Sequence, residues 1–337
     1  MAEQVRAAVL NAGSWGTALA VLLARRGLPV RLWPRRPEQA EALAADRQNR
    51  QYLPDVPFPE TLTVVSDLEA AVEAELLILA PITRGMRDLA RALAPHLRTG
   101  HTLVSVAKGL ELTTGLRMSQ VIQSEIPAQF HDRVAVLSGP NLAAEVAAEI
   151  PTTTVVASRD SAVTGLVQSA FMGPTFRVYT NPDLMGVELG GALKHIIAIG
   201  AGINDGLGFG DNTKAALVTR GLAEMTRLGA ALGAQPATFH GLSGVGDLVA
   251  TCASRKSRNH HVGFELARGR PLQEILDTMG QQVAEGVPTT RAAARLAAEQ
   301  GVDMPITAAI AEVLFNGMEP RAAVAGLMAR TGRDELG

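Results

Sequence analysis

The chain has little of what marks several specialised classes of protein. Cys252 is the only cysteine in 337 residues, which excludes an intramolecular disulfide and a cysteine-based metal cage. The 31 Lys and Arg residues nearly balance the 33 Asp and Glu residues, which argues against a nucleic-acid or membrane-binding surface. No signal peptide is recognisable, and no apolar run approaches membrane-spanning length. These absences predict a soluble cytoplasmic protein that neither inserts into a membrane nor binds nucleic acid.

The amino end carries the opening unit of a dinucleotide-binding fold. The segment VRAAVLNAGSWGTALAVLLARRG predicts a short apolar strand, a turn of small residues and an amphipathic helix. Gly13 and Gly16 fill the second and third glycine positions, which let a pyrophosphate approach the helix N-terminus. Asn11 takes the first position, and asparagine tolerates positive φ. The alternative is an ordinary strand-to-helix turn. The predicted cofactor-binding residues here are Asn11, Gly13, Ser14, Trp15 and Gly16.

Two arginines follow the second predicted strand, LPVRLW. An NAD-binding unit usually has an acidic residue there for the ribose 2′-hydroxyl, but none occurs before Glu38. Arg35 and Arg36 instead suit a 2′-phosphate, because a guanidinium offers charge and forked donors. The alternative is a solvated basic turn. We therefore expect NADP as the cofactor, with NAD still open.

The rest of the chain predicts two domains. Strand-like runs alternate with helical patterns up to Asn181-Pro182, and almost all of the remainder has helical patterning. This predicts an α/β fold: a Rossmann-type dinucleotide-binding domain with a mostly parallel sheet at residues 1–182, followed by an all-α domain at residues 183–337. The predicted strands after the first two are TLTVV, ELLILAP, HTLVSV, RVAVLSGP, TTTVVAS and TFRVY.

One lysine stands in surroundings that do not suit it. Lys194 lies within VELGGALKHIIAIGAGINDGLGFG, where glycines and small apolar residues predict a tightly packed helix. Burying an ammonium group there is costly, and a lysine in apolar surroundings gives up its proton more readily. The alternative is a lysine that extends from the helix edge into solvent.

Seven motifs occur in the order and spacing of one enzyme family. The chain resembles the bacterial NAD(P)-dependent glycerol-3-phosphate dehydrogenases of glycerophospholipid synthesis over essentially its whole length. The motifs are NAGSWGTALA, NRQYLP, KGLE, LSGPNLAAEV, ELGGALKHIIAIGAGINDGLGFGDNTKAALVTRGLAEM, GLSGVGDLVATCASRKSRNHHVG and VAEGVPTT.

The resemblance implies reversible hydride transfer between NAD(P)H and C2 of dihydroxyacetone phosphate, which gives sn-glycerol 3-phosphate. Lys194 resembles the residue that protonates the developing alkoxide. Asp247 resembles the carboxylate paired with that lysine, although such an Asp also suits a helix N-cap, and Thr251 would share its helix face. Lys108 resembles a second lysine, placed between nicotinamide and substrate; taken alone, it would pass for an exposed lysine after a strand.

The cluster RKSRNHH has a separate implied role. Ser257, Arg258 and Asn259 resemble a clamp for the substrate phosphate, for which a bidentate arginine is chemically suited. The alternatives are a solvated basic loop and, less favoured because aromatic stacking partners are absent, a nucleic-acid patch.

The resemblance adds further contacts. It implies substrate contacts at Gly139 and Asn141 and cofactor contacts at Lys108, Ala143, Arg258, Val283 and Glu285, although Glu285 alone would pass for a surface residue. Asn11, Asn141 and His195 depart from the usual bacterial pattern. His195 either donates to the substrate, titrates near neutral pH or is structural. No metal site is expected, since the histidines lack ligand spacing.

The resemblance also suggests a homodimer joined through the helical domain.

Two rival functions compete with glycerol-3-phosphate dehydrogenase activity. A related two-domain dehydrogenase acting on a sugar acid or hydroxyacid would share the first domain but not the middle motifs. A serine hydrolase or a nucleotide sensor is disfavoured because Ser243 lies in GLSGV rather than G-x-S-x-G, and because a sensor needs no Lys194.

Overall fold

The structure, a computed structural model, describes residues 5–280, 283–332 and 334–335. Two compact units are present: Met1–Glu111 with Leu116–Glu188, and Leu112–Gly115 with Leu189–Gly337.

The first unit is built on an eight-stranded sheet. Its central strands include fully buried runs such as LLIL and VAVLS, as expected where helices cover both faces of a parallel sheet. The order is β10-β9-β8-β7-β6-β1-β2-β5, and every pairing is parallel except β8 with β9. The strands are β1 Ala7–Leu10, β2 Val30–Trp33, β5 Leu62–Val64, β6 Leu76–Leu79, β7 Thr102–Ser105, β8 Val134–Ser138, β9 Thr152–Ala157 and β10 Phe176–Asn181, with β3 Gln48–Asn49 and β4 Leu53–Pro57 forming a separate antiparallel pair. The predicted mostly parallel sheet is confirmed.

Helices pack on both faces of this sheet. Alternate residues of β1 belong to different cores: Val9 packs with the α1 and α7 side, and Leu10 packs with the α4 and α5 side. The helices are α1 Ser14–Arg25, α2 Pro37–Asp46, α3 Leu68–Ala71, α4 Met86–Leu93, α5 Met118–Glu125, α6 Ala143–Ala147 and α7 Ser161–Phe171.

The regular elements among the described residues of the second unit are all helices, which confirms the predicted all-α region. A π-helical turn at Leu242–Gly246 leads directly into one of its helices. The helices are α8 Leu184–Gly206, α9 Asp211–Ala231, α10 Asp247–Ala253, α11 Arg258–Ala267, α12 Leu272–Thr278, α13 Gly286–Glu299, α14 Pro305–Phe315 and α15 Pro320–Met328.

Helix α8 corrects the expectation that no apolar run approaches membrane-spanning length. It has 23 residues with a mean hydropathy of 1.3 in its most apolar stretch, enough by length and composition to cross a membrane, but 89% of that stretch is buried inside the protein. Small residues allow this burial. A Cβ on Gly202 would lie 1.9 Å from the His260 carbonyl oxygen, so α8 and α11 meet backbone to backbone. Helix α8 is therefore a core helix.

The compact units divide inside α8, between Glu188 and Leu189. The first turns of α8 stay with the first unit because the Glu188 carboxylate accepts hydrogen bonds from the Arg117 guanidinium and from the Ser119 backbone N–H, at 2.7 Å for the latter. The sequence placed the domain boundary at residues 182/183, just before α8. As a boundary between domains, that position stays a prediction.

Candidate active site

The turn after β1 is tight and leads into a helix whose N-terminus is open. Asn11 adopts a positive φ of 87°, the left-handed conformation that asparagine tolerates better than most residues. A Cβ on Gly16 would lie 2.1 Å from the Asn11 carbonyl oxygen, so only glycine allows α1 to start this close to β1. A Cβ on Gly13 would instead meet nothing within 4 Å, which leaves open space over the start of α1. Helix α1 has no side-chain cap and no acidic residue in its first turn. These features fit an anionic pyrophosphate.

Two residues without an assigned role hold this turn in place. The buried Asn49 side chain donates to the Ala12 carbonyl oxygen at 2.9 Å and to Thr17 Oγ1 at 2.8 Å. Gln39 Nε2 donates to the same Ala12 oxygen at 3.0 Å. Asn49 is the first residue of the NRQYLP motif. That motif gave no indication of which atoms the Asn49 amide contacts. Among the predicted cofactor residues, Trp15 has a buried Nε1 without a hydrogen-bond partner in the described chain.

Arg35 and Arg36 lie where the sequence predicted, immediately after β2. Both are exposed, and neither guanidinium makes a hydrogen bond or ion pair with another described residue. The cations therefore remain available to a ligand phosphate. Glu38 is exposed in the first turn of α2.

The ends of β7 and β8 bring Lys108 and Gly139 together. Lys108 Nζ donates to the Gly139 carbonyl oxygen at 2.7 Å. The Asn141 amide is bonded on both sides, since Nδ2 donates to the Thr153 carbonyl oxygen at 3.1 Å and Oδ1 accepts from Thr154 Oγ1 at 3.0 Å. Ala143 is the first residue of α6. Adjacent parallel strands thus present these predicted residues at one edge of the sheet.

Lys194 is buried in an ion pair rather than extended into solvent. Only 4% of Lys194 and 2% of Asp247 are exposed, and Lys194 Nζ lies 2.5 Å from Asp247 Oδ1. Thr251 Oγ1 accepts a further hydrogen bond from Nζ at 2.8 Å and donates to the Asp247 carbonyl oxygen at 2.6 Å. Asp247 is the first residue of α10, and Gly246 takes the N-cap position. Both structural alternatives for these residues, the solvent-extended lysine and the N-cap, are therefore wrong.

The neighbouring thiol does not compete for this chemistry. Cys252 follows Thr251 and is buried, and this burial raises the pKa of its thiol to about 12. The thiol stays neutral at physiological pH and is not a nucleophile.

The three residues of the predicted phosphate clamp have different environments. Ser257 is the N-cap of α11, and its Oγ accepts from the His260 backbone N–H at 3.3 Å. Arg258 is exposed, and its guanidinium makes no hydrogen bond to another described residue. Desolvation by surrounding protein lowers the pKa of the Arg258 guanidinium, and the Glu285 carboxylate partly opposes this. Asn259 is only 4% exposed.

Asn259 connects the start of α13 to the residue after Lys194. Its Oδ1 accepts from the Gly286 backbone N–H at 2.9 Å, and its Nδ2 lies 2.7 Å from His195 Nδ1. Both polar atoms of the predicted phosphate ligand are therefore used within the protein. Val283 and Glu285 are partly buried immediately before α13.

The structure thus brings residues of the candidate site together in two groups within each unit. The first unit holds the Asn11–Gly16 turn and the Lys108, Gly139 and Asn141 group. The second unit holds Lys194 with Asp247 and Thr251, and His195 with Asn259 and Gly286. Within the described ranges, no group of three or more His, Cys, Asp or Glu side chains has a geometry suited to a metal ion.

Comparison with known proteins identifies the family. The family described as "NAD-dependent glycerol-3-phosphate dehydrogenase N-terminus" matches residues 6–164, and its C-terminus counterpart matches residues 183–325. The chain is 53% identical over 330 residues to glycerol-3-phosphate dehydrogenase (NAD(P)+) of Moorella thermoacetica, covering 98% of this chain and 97% of that protein. It is 51% identical over 330 residues to the protein of the same name from Geobacillus thermodenitrificans, covering 97% and 96%.

A solved structure agrees over both units. The crystal structure of glycerol-3-phosphate dehydrogenase from Coxiella burnetii has a TM-score of 0.91 to this chain at 38% identity, and the match covers 97% of this chain and 99% of that one. The resemblance inferred from the seven motifs is therefore confirmed. The chain belongs to the family of NAD(P)-dependent glycerol-3-phosphate dehydrogenases.

Proposed function

We propose that this chain interconverts dihydroxyacetone phosphate and sn-glycerol 3-phosphate, with Lys194 as the general acid and base. The observation that carries the proposal is the buried ammonium group of Lys194, held by Asp247 and Thr251. A buried ion pair contributes little to stability compared with apolar packing, so its presence favours a chemical role.

The residues of this pair match the needs of ketone reduction. NAD(P)H, when bound, supplies the hydride that adds to C2 of the ketone. The C2 oxygen gains negative charge as the hydride arrives, and the Lys194 ammonium stabilises that charge and transfers a proton to the oxygen. The Asp247 carboxylate and Thr251 hydroxyl hold Nζ in place, and solvent reprotonates the lysine. In the reverse direction, neutral Lys194 accepts the hydroxyl proton.

We assign the cofactor to the turn after β1 and the arginines after β2. The open space at Gly13 supports binding of the pyrophosphate there, and exposed Arg35 and Arg36 support a preference for NADP over NAD. The proposed cofactor residues are Asn11, Gly13, Ser14, Trp15, Gly16, Arg35, Arg36, Lys108, Ala143, Arg258, Val283 and Glu285.

We assign the substrate phosphate chiefly to Arg258. Its guanidinium is exposed and has no hydrogen bond to a described residue, whereas the Asn259 amide and Ser257 hydroxyl already bond within the protein. The proposed substrate residues are Lys108, Gly139, Asn141, Lys194, Asp247, Thr251, Ser257, Arg258 and Asn259.

A direct assay of NADPH absorbance tests the activity. Adding dihydroxyacetone phosphate to the purified chain with NADPH should remove the reduced-nicotinamide absorbance, and sn-glycerol 3-phosphate with NADP should restore it. Pyruvate and 6-phosphogluconate should give no loss of absorbance. Turnover of either control with no turnover of dihydroxyacetone phosphate would contradict the proposal and favour a related hydroxyacid dehydrogenase.

We further propose a cytoplasmic homodimer that supplies glycerophospholipid synthesis. An apolar recess of about 480 Å³ in the second unit supports self-association, since side chains of α8, α9, α14 and α15 line it and Met328 at its rim is 80% exposed. Sedimentation should give about twice the chain mass of 35.4 kDa, and Met328→Glu should lower it. A monomeric native chain would refute this.

A further inference from the structure

The Asn259 side chain forms a bridge between the His195 side chain and the Gly286 backbone in the second unit. It lies on α11, between His195 on α8 and Gly286 at the start of α13, with 4% of its surface exposed. Gly286 N–H donates to Asn259 Oδ1 at 2.9 Å, and Asn259 Nδ2 lies 2.7 Å from His195 Nδ1. His195 directly follows the proposed general acid.

The polarity of this bridge determines where the His195 proton resides. A backbone N–H only donates, so the atom of Asn259 that faces Gly286 must be the carbonyl oxygen. The remaining amide nitrogen also only donates, so His195 Nδ1 must accept and carries no proton. A neutral imidazole has one N–H, which is then at Nε2.

Close backbone packing prevents the amide from turning away. A Cβ on Gly286 would lie 2.6 Å from the His195 carbonyl oxygen and 2.8 Å from Asn259 Oδ1. A Cβ on Gly263, in α11, would lie 1.9 Å from the Ile199 carbonyl oxygen of α8. The two helices and the start of α13 therefore hold the Asn259 amide in one orientation.

We propose that Asn259 is a positioning residue that holds His195 as an uncharged hydrogen-bond donor with its proton on Nε2. An imidazolium would place an Nδ1–H against the Asn259 amide donor and break the bridge. The role rests on the proposed function, because it leaves Lys194 as the proton donor for the ketone and excludes His195 from that task. Asn259 then acts through His195, beside its proposed place next to the substrate phosphate.

Charged residues neighbour each member of this bridge in the chain. Lys194, which pairs with Asp247, precedes His195, Arg258 precedes Asn259, and Glu285 precedes Gly286. A charged His195 would add a third cation to Lys194 and Arg258. The neutral imidazole supplies a donor without that repulsion.

Nitrogen NMR of the full chain with bound NADPH tests the tautomer directly. In protein labelled with ¹⁵N-histidine, the His195 signals are those absent from a His195→Asn sample. At pH 7.5 we expect an unprotonated Nδ1 and a protonated Nε2. An Nδ1–H tautomer or an imidazolium would overturn the proposal, and neither outcome depends on whether the chain reduces dihydroxyacetone phosphate.

Asn259→Asp should reverse the tautomer. The aspartate still accepts from Gly286 N–H but presents an acceptor to His195, so the imidazole should acquire an Nδ1–H. We expect kcat/KM for dihydroxyacetone phosphate to fall on the order of tenfold, the size of one hydrogen bond. Asn212→Asp makes the same chemical change at an exposed position of α9 and should leave kcat/KM unchanged. An unchanged Nε2–H pattern in Asn259→Asp would contradict the proposal.

Replacing His195 separates donor polarity from imidazole chemistry. His195→Asn offers an acceptor to Asn259 and a donor on the other side, whereas His195→Leu offers neither. We expect kcat/KM of the Asn variant to exceed that of the Leu variant on the order of tenfold. Equal losses in both variants would show that the imidazole ring itself is needed and would refute the positioning role. If Asn259→Asp fails to fold, the nitrogen spectrum of the native chain and the comparison of His195→Asn with His195→Leu still test the proposal.

Discussion

The two units hold their charged site residues in opposite ways. Lys194 in the second unit is buried and paired with Asp247 at 2.5 Å. Arg35 and Arg36 in the first unit are exposed and make no ion pair among the described residues. The first arrangement fixes a cation within the protein, and the second leaves its cations in solvent, where the proposed 2′-phosphate could reach them.

This difference follows from the cost of removing charge from water. A buried ammonium needs a partner in the folded protein, and that partner also holds it rigidly for proton transfer. An exposed guanidinium needs no partner and contributes little until a ligand uses it. Changes in the buried pair should therefore affect both folding and turnover, whereas changes in the exposed arginines should affect ligand affinity alone.

The largest expected effect is on turnover in Lys194→Met. Loss of a positioned proton donor should lower kcat by about 10²–10⁴-fold, measured by NADPH oxidation with dihydroxyacetone phosphate. NADPH binding, followed by its fluorescence, should persist because the glycine turn lies in the other unit. Lys256→Met removes an exposed lysine and should retain native kcat. A folded Lys194→Met enzyme with near-native turnover would return the lysine to a structural role.

The second effect is on the free energy of unfolding in Asp247→Ala. Removing one partner of a buried ion pair should cost about 3–5 kcal/mol, measured by urea denaturation, because the Lys194 ammonium loses its counter-ion. The double variant Lys194→Met with Asp247→Leu should regain most of that stability while remaining inactive. If the single and double variants are equally unstable, the comparison between paired and unpaired charges fails.

Arg258→Ala should act mainly on the substrate. Loss of a charge-assisted contact of about 1.5–3 kcal/mol should raise KM for dihydroxyacetone phosphate, and it should lower kcat if the phosphate helps to position the ketone. The kinetics with dihydroxyacetone, which lacks the phosphate, should be nearly unchanged by this substitution. Arg255→Ala, in the same loop, provides the matched control. Equal losses for both substrates would assign Arg258 to the coenzyme or to the fold.

Sequence patterns predicted the parts of the molecule that depend on local order. Continuous apolar runs predicted the strands of a mostly parallel sheet, and the glycine spacing predicted the turn after β1. The antiparallel pairing of β8 with β9 was not predicted. Strand direction depends on the path of the connecting segment, and local hydrophobic patterns do not reveal that path. The apolar character of α8 was underestimated because its interspersed glycines and its lysine interrupt the run.

Within the site, long-range contacts are what the sequence did not reveal. Asn49 supports the turn at Ala12 across 37 positions, and Asn259 meets His195 across 64. An isolated asparagine gives no signal of whether its amide faces a ligand or the protein backbone. The resemblance alone grouped Asn259 with Arg258 as a phosphate ligand, and it gave no sign that the Asn259 amide also bonds within the protein.

Replacing Arg35 and Arg36 with Ala should have a smaller and more selective effect. If they hold a 2′-phosphate, the double variant should weaken NADPH by about 1–3 kcal/mol and leave NADH nearly unchanged. Dissociation constants from fluorescence titration measure this. Arg159→Ala removes another exposed arginine of the first unit and serves as the control. Equal weakening of both coenzymes would refute the preference for NADP.

The smallest effect concerns Asn11. Within this one turn, Asn11→Gly and Gly13→Ala should separate changes in the free energy of unfolding from changes in NADPH affinity. Asn11 has a φ of 87°, a conformation that asparagine tolerates, so a glycine there relieves little strain. Asn11→Gly should therefore change the free energy of unfolding by at most about 1 kcal/mol, through relief of strain and a more flexible unfolded chain, while the NADPH dissociation constant stays the same. Gly13→Ala should do the opposite. Its backbone is extended and its Cβ would meet no protein atom within 4 Å, so stability should hold, but the methyl group would fill the space over the helix N-terminus and weaken NADPH binding. Tighter NADPH binding by Asn11→Gly would show instead that the turn adopts its strained form only when the coenzyme binds.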